Sequence, residues 1–255
     1  MIELENFINR ADIDKTIHNK IINNNDFNKL SQKIRSDDYR EIINQIYWMS
    51  MLVYRVSFTS YIDNLNIDNK TVINKNNILV YHPFSSISSE MCRIVNDKYI
   101  YTSFLSVLSR QIIEQICVVK EIESEKIELD KIVEAMIESH NKHVGAQTLN
   151  IDGLNFNNEG LLKVFNTNRK YGNLAKKYSY HFLYNLFSGD IHHLSTIDKN
   201  IPKAVSNNAQ YNNAYLLTVL SLLKDALLFV NNFCNKLSAK DIKRINEMKF
   251  IVIKD

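Results

Sequence analysis

Turn-forming residues are scarce in this chain, in which only 5 Gly and 2 Pro occur among 255 residues. An architecture of many short strands needs frequent tight turns, and Gly and Pro are the residues that build them most often. The scarcity therefore favours long helices joined by few connections. Because 45% of the residues are hydrophobic and 23% are charged, the chain can also bury a sizeable core. We predict an all-α helical bundle of about eight to ten helices, with at most one or two short strands.

Apolar residues recur with helical spacing along most of the sequence. The long segments with this spacing are 37–64, 99–123, 125–144, 171–188 and 208–236. The shorter ones are 85–96, 159–166 and 238–248. We expect the helix over 171–188 to end or bend at Gly189, and Ser238 and Asp241 to cap the last helix. Short extended segments are predicted at 78–81 and 250–253.

A polar stretch rich in Asn, Asp and Lys, over 64–77, is typical of a loop and divides the chain. Residues 1–80 form an N-terminal helical segment, either a separate subdomain or part of the bundle, with one or two short helices within 1–35. Residues 81–255 form the main helical bundle.

We expect neither a targeting signal nor a membrane span in this chain. Met1–Glu5 is acidic and lacks the apolar core of a secretory signal. The most apolar stretch, Tyr215–Val230, is interrupted by Lys224 and Asp225 and is too short to span a bilayer. The 3 cysteines are isolated among apolar residues, as is typical of reduced thiols. We therefore expect a cytoplasmic protein that does not contact a membrane.

A polar stripe crosses the aromatic helix over 171–188 and continues beyond it. At 3.6 residues per turn, its members fall within an arc of roughly 60°. They are His181, Asn185, Ser188 and His192. The otherwise apolar helix over 99–123 carries Arg110 and Glu114 one turn apart, where the two side chains can pair. Because buried polar groups need partners, we expect both sets to be buried and the two helices to face each other.

The types of these side chains indicate acid–base chemistry on a phosphate. His192, with Asp190 to orient it, is the candidate general acid or base, because histidine changes charge near neutral pH. Arg110 would hold the phosphate and stabilise its developing charge, and Glu114 would position Arg110. The candidate substrate contacts are His181, Asn185, Ser188 and His193. In the alternative interpretation, the Arg–Glu–His network is structural and pins two helices in register.

No cofactor and no metal are expected. Potential metal ligands lie near the end of a polar helix, where a solvated face is the favoured interpretation: Glu134, Glu138, His140 and His143. Motifs of the P-loop, GxGxxG, GxSxG and HExxH types do not occur in the sequence. The net charge of +3 does not by itself imply nucleic acid. The basic pairs Arg169–Lys170 and Lys176–Lys177 could contact phosphates, but a solvated helix face is again favoured.

Together, the two polar helices resemble an uncharacterised family of helical bacterial proteins. Its members carry an early Arg-x-x-x-Glu helix, matched here by Arg110 and Glu114. They also carry a later Tyr-x-x-Leu/Phe-Ser-x-x-x-His helix, matched by Tyr184, Ser188 and His192. The resemblance covers about residues 85–235. It implies a helical fold and a defence or mobile-element context, but no settled activity.

The chain also has a looser likeness to HEPN helical bundles, many of which are metal-independent ribonucleases. Their signature is an Arg followed four to six residues later by a His, and no Arg in this chain precedes a His at that spacing. An equivalent pair could be assembled from two helices by Arg110 and His192. We therefore predict a protein of a bacterial or phage defence or toxin-type system that acts as a metal-independent endoribonuclease. The alternative is a non-catalytic binding or regulatory protein; the expected partners are RNA or a protein, and a homo-oligomer is possible.

Overall fold

A computed structural model of the chain describes residues 39–65, 74–96, 102–144, 161–165, 170–195 and 209–247. Within 102–103, 139–144, 189–195 and 209–212 it describes the backbone only. Of the described residues, 90% are helical and none lies in a strand. The predicted all-α helical bundle is therefore confirmed. The helices predicted within 1–35 and the strand predicted at 250–253 lie outside the described residues.

The described residues form eight α-helices, numbered here in chain order. They are α1 (Tyr39–Leu65), α2 (His82–Asn96), α3 (Thr102–Ser124), α4 (Leu129–Val144), α5 (Tyr171–Lys177), α6 (His181–Ser195), α7 (Ala209–Cys234) and α8 (Ala239–Glu247). Helix α1 packs against α2 and α7, whereas α3 packs against α2, α5, α6 and α7. A single hydrophobic core joins them. Helix α3 thus connects α2 and α7 to α5 and α6.

Helix α7 supplies the most apolar part of this core. Its stretch Asn213–Cys234 is, among the described residues, the one helix long and apolar enough to cross a membrane by length and composition. This helix is longer than the apolar stretch Tyr215–Val230 on which the expectation of no membrane span was based. However, 83% of the most apolar window is buried inside the protein. Packing in the core accounts for its apolar character.

The segment predicted to be extended at 78–81 is instead helical, so this prediction is wrong. A π-helical turn, Asn77–Tyr81, leads directly into α2. The Oδ1 atom of Asn74 caps the start of this run by accepting the N–H of Asn76 at 2.8 Å. Pro83 does not end the helix, although it has no N–H to donate to Leu79 O four residues earlier. The Nε2 atom of Gln115 on α3 donates to that oxygen at 2.6 Å.

This helical run also bears on the division of the chain after residue 80. The run is continuous across that point, from Lys75 to Asn96. Helix α1 contributes Ile46, Met49 and Val53 to the same core as the later helices. The described part of residues 1–80 therefore packs as part of the bundle.

The helix predicted over 171–188 is two helices, so that prediction is also wrong. The chain reverses at Tyr178–Tyr180, where Ser179 has a positive φ of 66°. Tyr180 N–H donates to Ala175 O at 2.7 Å and Ser179 N–H donates to Lys176 O at 3.3 Å. These two bonds form the Schellman motif that ends many helices. The following helix, α6, then continues past Gly189 to Ser195.

The predicted cap of the last helix is confirmed. Ser238 Oγ accepts the N–H of Asp241 at 3.1 Å, and Asp241 Oδ2 accepts the N–H of Ser238 at 3.1 Å. These reciprocal bonds form a capping box. At the other end of α8, the ammonium group of Lys224 donates to Asn246 O at 2.9 Å. A cation at this position also complements the negative end of the helix dipole.

Candidate functional site: a polar contact lined by tyrosines

Helix α3 carries three charged residues on one stripe. Arg110, Glu114 and Glu121 lie at i, i+4 and i+11, and therefore within a narrow arc. This stripe contacts side chains of α5, of the reversal and of α6. The two helices that the sequence predicts to face each other are therefore in contact. Arg110 and Glu114 pair with each other, as the i, i+4 spacing predicts.

Arg110 is held between its own helix and α6. Its Nε donates to Glu114 Oε1 at 2.8 Å, and its Cζ lies 5.2 Å from the centroid of the Tyr184 ring. The Tyr184 hydroxyl makes a long hydrogen bond of 3.5 Å to the same carboxylate oxygen. The side chain of Arg110 is 27% exposed, whereas that of Glu114 is 9% exposed. A buried carboxylate thus orients a guanidinium group that still reaches solvent.

Burial and neighbouring groups set the charges of this cluster. Burial opposes the charge of Arg110, but the contacts with Glu114 and with the Tyr184 hydroxyl outweigh it and raise the pKa of the guanidinium. Burial and the Glu114 carboxylate raise the pKa of Tyr184, while Arg110 counteracts part of this effect. At neutral pH the cluster therefore presents a charged guanidinium group beside a neutral phenol.

Two turns further along α3, Glu121 forms a second polar contact. Its side chain is 0% exposed, and its Oε2 accepts hydrogen bonds from Lys177 Nζ at 2.5 Å and from the Tyr178 hydroxyl at 2.6 Å. Lys177 itself is 48% exposed. Sequence reasoning missed Glu121, because it stands in a run of Glu and Lys at the end of the helix. The signal was its spacing of seven residues from Glu114, which returns it to the same face.

Lysine ammonium groups pack on the tyrosine rings between these two contacts. Lys120 Nζ lies 5.6 Å from the centroid of Tyr178 and 5.5 Å from that of Tyr180. Lys177 Nζ lies 5.3 Å from the centroid of Tyr178. These distances are typical of cation–π interactions. We call the whole contact the tyrosine seam; its members are Arg110, Glu114, Lys120 and Glu121 from α3, with Lys177, Tyr178, Tyr180 and Tyr184 opposite them.

The polar stripe of α6 lies beside the seam, but its first two members are not buried as expected. His181 and Asn185 are exposed, and their side-chain nitrogens lie 3.1 Å apart. Helix α6 begins only at His181, after the reversal. The face that it packs against the bundle therefore carries Tyr184 and Phe187 and not the polar stripe. Tyr184 contacts α3. The fully buried Phe187 packs edge-on against Tyr215 of α7, with the two ring centroids 5.5 Å apart.

The remaining candidate residues of α6 are described less completely. Ser188 is partly buried one turn after Tyr184, and its side chain acts on the Tyr184 hydroxyl so as to lower the pKa of that group. The side chains of Asp190, His192 and His193 lie outside the described residues. The helical backbone continues through these three positions, which keeps His192 in register with the stripe.

No metal centre is formed by the described side chains. Glu134 and Glu138 are exposed on α4, while the side chains of His140 and His143 lie outside the described part. Within that part, no three His, Cys, Asp or Glu residues are grouped so as to hold a metal ion.

A shallow depression of about 450 Å³ lies between α1 and α2, away from the seam. It is lined by Tyr47, Cys92, Arg93 and Asn96. Burial raises the pKa of the Cys92 thiol to about 12. This thiol is therefore protonated at neutral pH and unsuited to act as a nucleophile.

The fold and the seam define this protein as an all-α helical bundle with a partly exposed, oriented arginine at a contact between helices. Comparison of the chain with protein-family models, with curated proteins and with solved structures found no match. The resemblances noted in the sequence therefore stay predictions.

Proposed function

We propose that the tyrosine seam is a phosphate-binding site for RNA, and that the chain belongs to a bacterial or phage defence or toxin-type system. One observation carries the proposal: Arg110 is charged, partly exposed and fixed by Glu114 and Tyr184. The N–H groups of a guanidinium match phosphate oxygens in pairs. A guanidinium that is already oriented also loses little conformational entropy on binding.

In its finer form, the proposal is that the protein is a metal-independent endoribonuclease. A general base takes the proton of the ribose 2′-hydroxyl, and the 2′-oxygen attacks the adjacent phosphorus. The 5′-oxygen leaves with a proton from a general acid, which produces a 2′,3′-cyclic phosphate. His192, oriented by Asp190, would exchange these protons, and Arg110 would stabilise the charge that develops on the phosphate oxygens. His181 and Asn185 are exposed beside the seam, where an RNA strand would pass.

The second candidate is a non-catalytic binding or regulatory protein. It is favoured by the way in which the charges of the seam are already matched. Glu114 neutralises Arg110, and Lys177 neutralises Glu121. Such pairs fix the register of helices even when they take no part in chemistry.

These alternatives are separated by measuring RNA binding and RNA cleavage with the same purified proteins. We expect Arg110→Lys to weaken RNA binding by about tenfold, because lysine keeps the charge but loses the planar, paired geometry. The matched control is Arg93→Lys, since Arg93 is an exposed arginine that pairs with Glu90 on α2. Its RNA affinity should equal that of the wild type.

His192→Ala should abolish cleavage while RNA binding persists. Binding that depends on Arg110 without any cleavage would contradict the endoribonuclease and leave the RNA-binding function. No RNA binding by the wild type would contradict the proposal as a whole.

A further inference from the structure

One segment of this chain carries basic residues and no acidic ones. Residues 160–189 contain 5 of the 31 Lys and Arg residues and no Asp or Glu. The rest of the chain holds the other 26 basic residues and all 28 acidic ones, so its net charge is −2. The segment therefore carries a net charge of +5, whereas the rest of the chain holds slightly more acidic than basic residues.

The described part of this segment presents its lysines to solvent. Lys163, Lys170 and Lys176 are exposed, and none of them forms an ion pair among the described residues. Leu174 and Ala175 of α5 are buried against the core. Helix α5 therefore attaches to the bundle through its apolar side chains and through the Lys177–Glu121 ion pair, and it leaves Lys176 exposed to solvent.

This surface adjoins the tyrosine seam along α3. Lys177 binds Glu121, which lies 11 residues after Arg110 on the same helix. At 1.5 Å per residue, the two positions are about 16 Å apart along the helix axis. A short run of stacked nucleotides, at roughly 3.4 Å each, spans this distance.

The exposed side chains favour a nucleic acid over a protein as the partner. Protein interfaces are built around large apolar or aromatic residues that lose their contact with water. Among the described residues, the large hydrophobic side chains that are exposed belong to α1 and α3: Tyr39, Phe58, Ile62 and Phe104. The lysine-rich segment contributes none of them, so its attraction to a partner is electrostatic.

We propose that the outer surface of α5, where Lys170 and Lys176 are exposed beside the ion-paired Lys177, docks the phosphate backbone of single-stranded RNA and leads it towards Arg110. This inference rests on the proposed function, because it assigns the route by which the same RNA reaches the seam. Binding of this kind releases counterions from the RNA. Affinity therefore falls steeply with salt, and each lysine that contacts a phosphate steepens the dependence.

The test is fluorescence anisotropy with a labelled single-stranded RNA of about 12 nucleotides, titrated from roughly 50 to 200 mM KCl. The variant is Lys170→Gln/Lys176→Gln. The control is Lys131→Gln/Lys240→Gln, which removes the same charge from exposed positions on α4 and α8. We expect the first variant to bind at least about threefold more weakly and to lower the slope of log affinity against log salt by about 1 to 2. The control should match the wild type.

The outcomes separate this inference from the proposed function. If both lysine variants match the wild type while Arg110→Lys still weakens binding, the docking surface is wrong and the RNA site stands. If Lys170→Gln/Lys176→Gln weakens binding and Arg110→Lys does not, the docking surface stands and the seam is not the site. If the wild type binds polyglutamate in place of RNA, and the same lysines are needed, the partner is an acidic protein and the RNA proposal is overturned.

Discussion

The guanidinium carbon of Arg110 on α3 lies 5.2 Å from the ring centroid of Tyr184 on α6. Glu114 accepts a hydrogen bond from each of these two residues through the same oxygen. The three side chains therefore connect the charged stripe of α3 to the helix that carries the exposed His181 and Asn185. A change at Tyr184 should consequently affect both the stability of the bundle and the orientation of Arg110.

The Tyr184 ring, more than its hydroxyl, should support this contact. Tyr184→Phe keeps the aromatic face under Arg110 and loses the contacts of the hydroxyl with Glu114, Arg110 and Ser188, so we expect the free energy of unfolding to change by less than about 1 kcal/mol. Tyr184→Ala removes the partly buried ring and should cost about 2 kcal/mol. Urea unfolding measures both values. Equal effects of the two substitutions would contradict the role given to the ring.

Lys177 should matter to stability far more than its neighbour Lys176. Lys177→Met removes a cation that pairs with the fully buried Glu121 carboxylate, which we expect to cost about 1 to 3 kcal/mol. Lys176→Met is the control, because Lys176 is exposed and pairs with no acid among the described residues; it should change stability by less than about 0.5 kcal/mol. Thermal and urea unfolding of both variants test the difference, and similar losses would show that Glu121 does not depend on Lys177.

Ser179→Gly should stabilise the protein. Ser179 holds a positive φ of 66° at the reversal between α5 and α6, a conformation that glycine adopts without strain. We expect a gain of about 0.5 to 1 kcal/mol. Glu134→Gly, at an exposed position inside α4, should instead destabilise by about 1 kcal/mol. A loss of stability in Ser179→Gly would show that the serine side chain contributes more than its backbone strain costs.

Acidification should destabilise the bundle through His82. Burial lowers the pKa of His82 below its usual 6.5. The imidazole ring packs against the ring of Tyr61, with the two ring centroids 5.7 Å apart. As the pH falls, the unfolded chain therefore takes up this proton before the folded chain does. The stability that depends on neutral His82 is complete above about pH 6.5 and is lost as the pH falls through the folded pKa.

His82→Phe keeps an aromatic ring at this position and cannot be protonated. Between about pH 7.5 and 5.5, the variant should lose less unfolding free energy than the wild type, as measured by urea titration at each pH. Identical losses would mean that another group causes the acid sensitivity.

The elements that the sequence predicts correctly depend on local patterns. The apolar period of α7 and the Ser238–Asp241 capping box are such patterns, because each acts within a few residues. The π-helical turn before Pro83 is different, since the Leu79 carbonyl is bonded by Gln115 from another helix. The local sequence also does not predict the reversal at Ser179, because the residue in the left-handed conformation is not a glycine.

The candidate site was predictable in part for the same reason. The pairing of Arg110 with Glu114 follows from their spacing on one helix. Tyr184, by contrast, is an aromatic residue of the kind expected in a core. Its contact with Arg110 depends on how the two helices pack, which the sequence pattern does not specify. The exposure of His181 likewise depends on where α6 begins, which the apolar pattern alone does not fix.

The most direct test of the tyrosine seam as an RNA site is photo-cross-linking of the purified protein to single-stranded RNA that carries a photoreactive uridine, followed by mass spectrometry of the peptides. We expect cross-links on the peptides that contain Tyr178, Tyr184 or Arg110, and fewer of them in Arg110→Lys. Cross-links confined to peptides of α1, α2, α7 or α8 would contradict the assignment of the site to the seam.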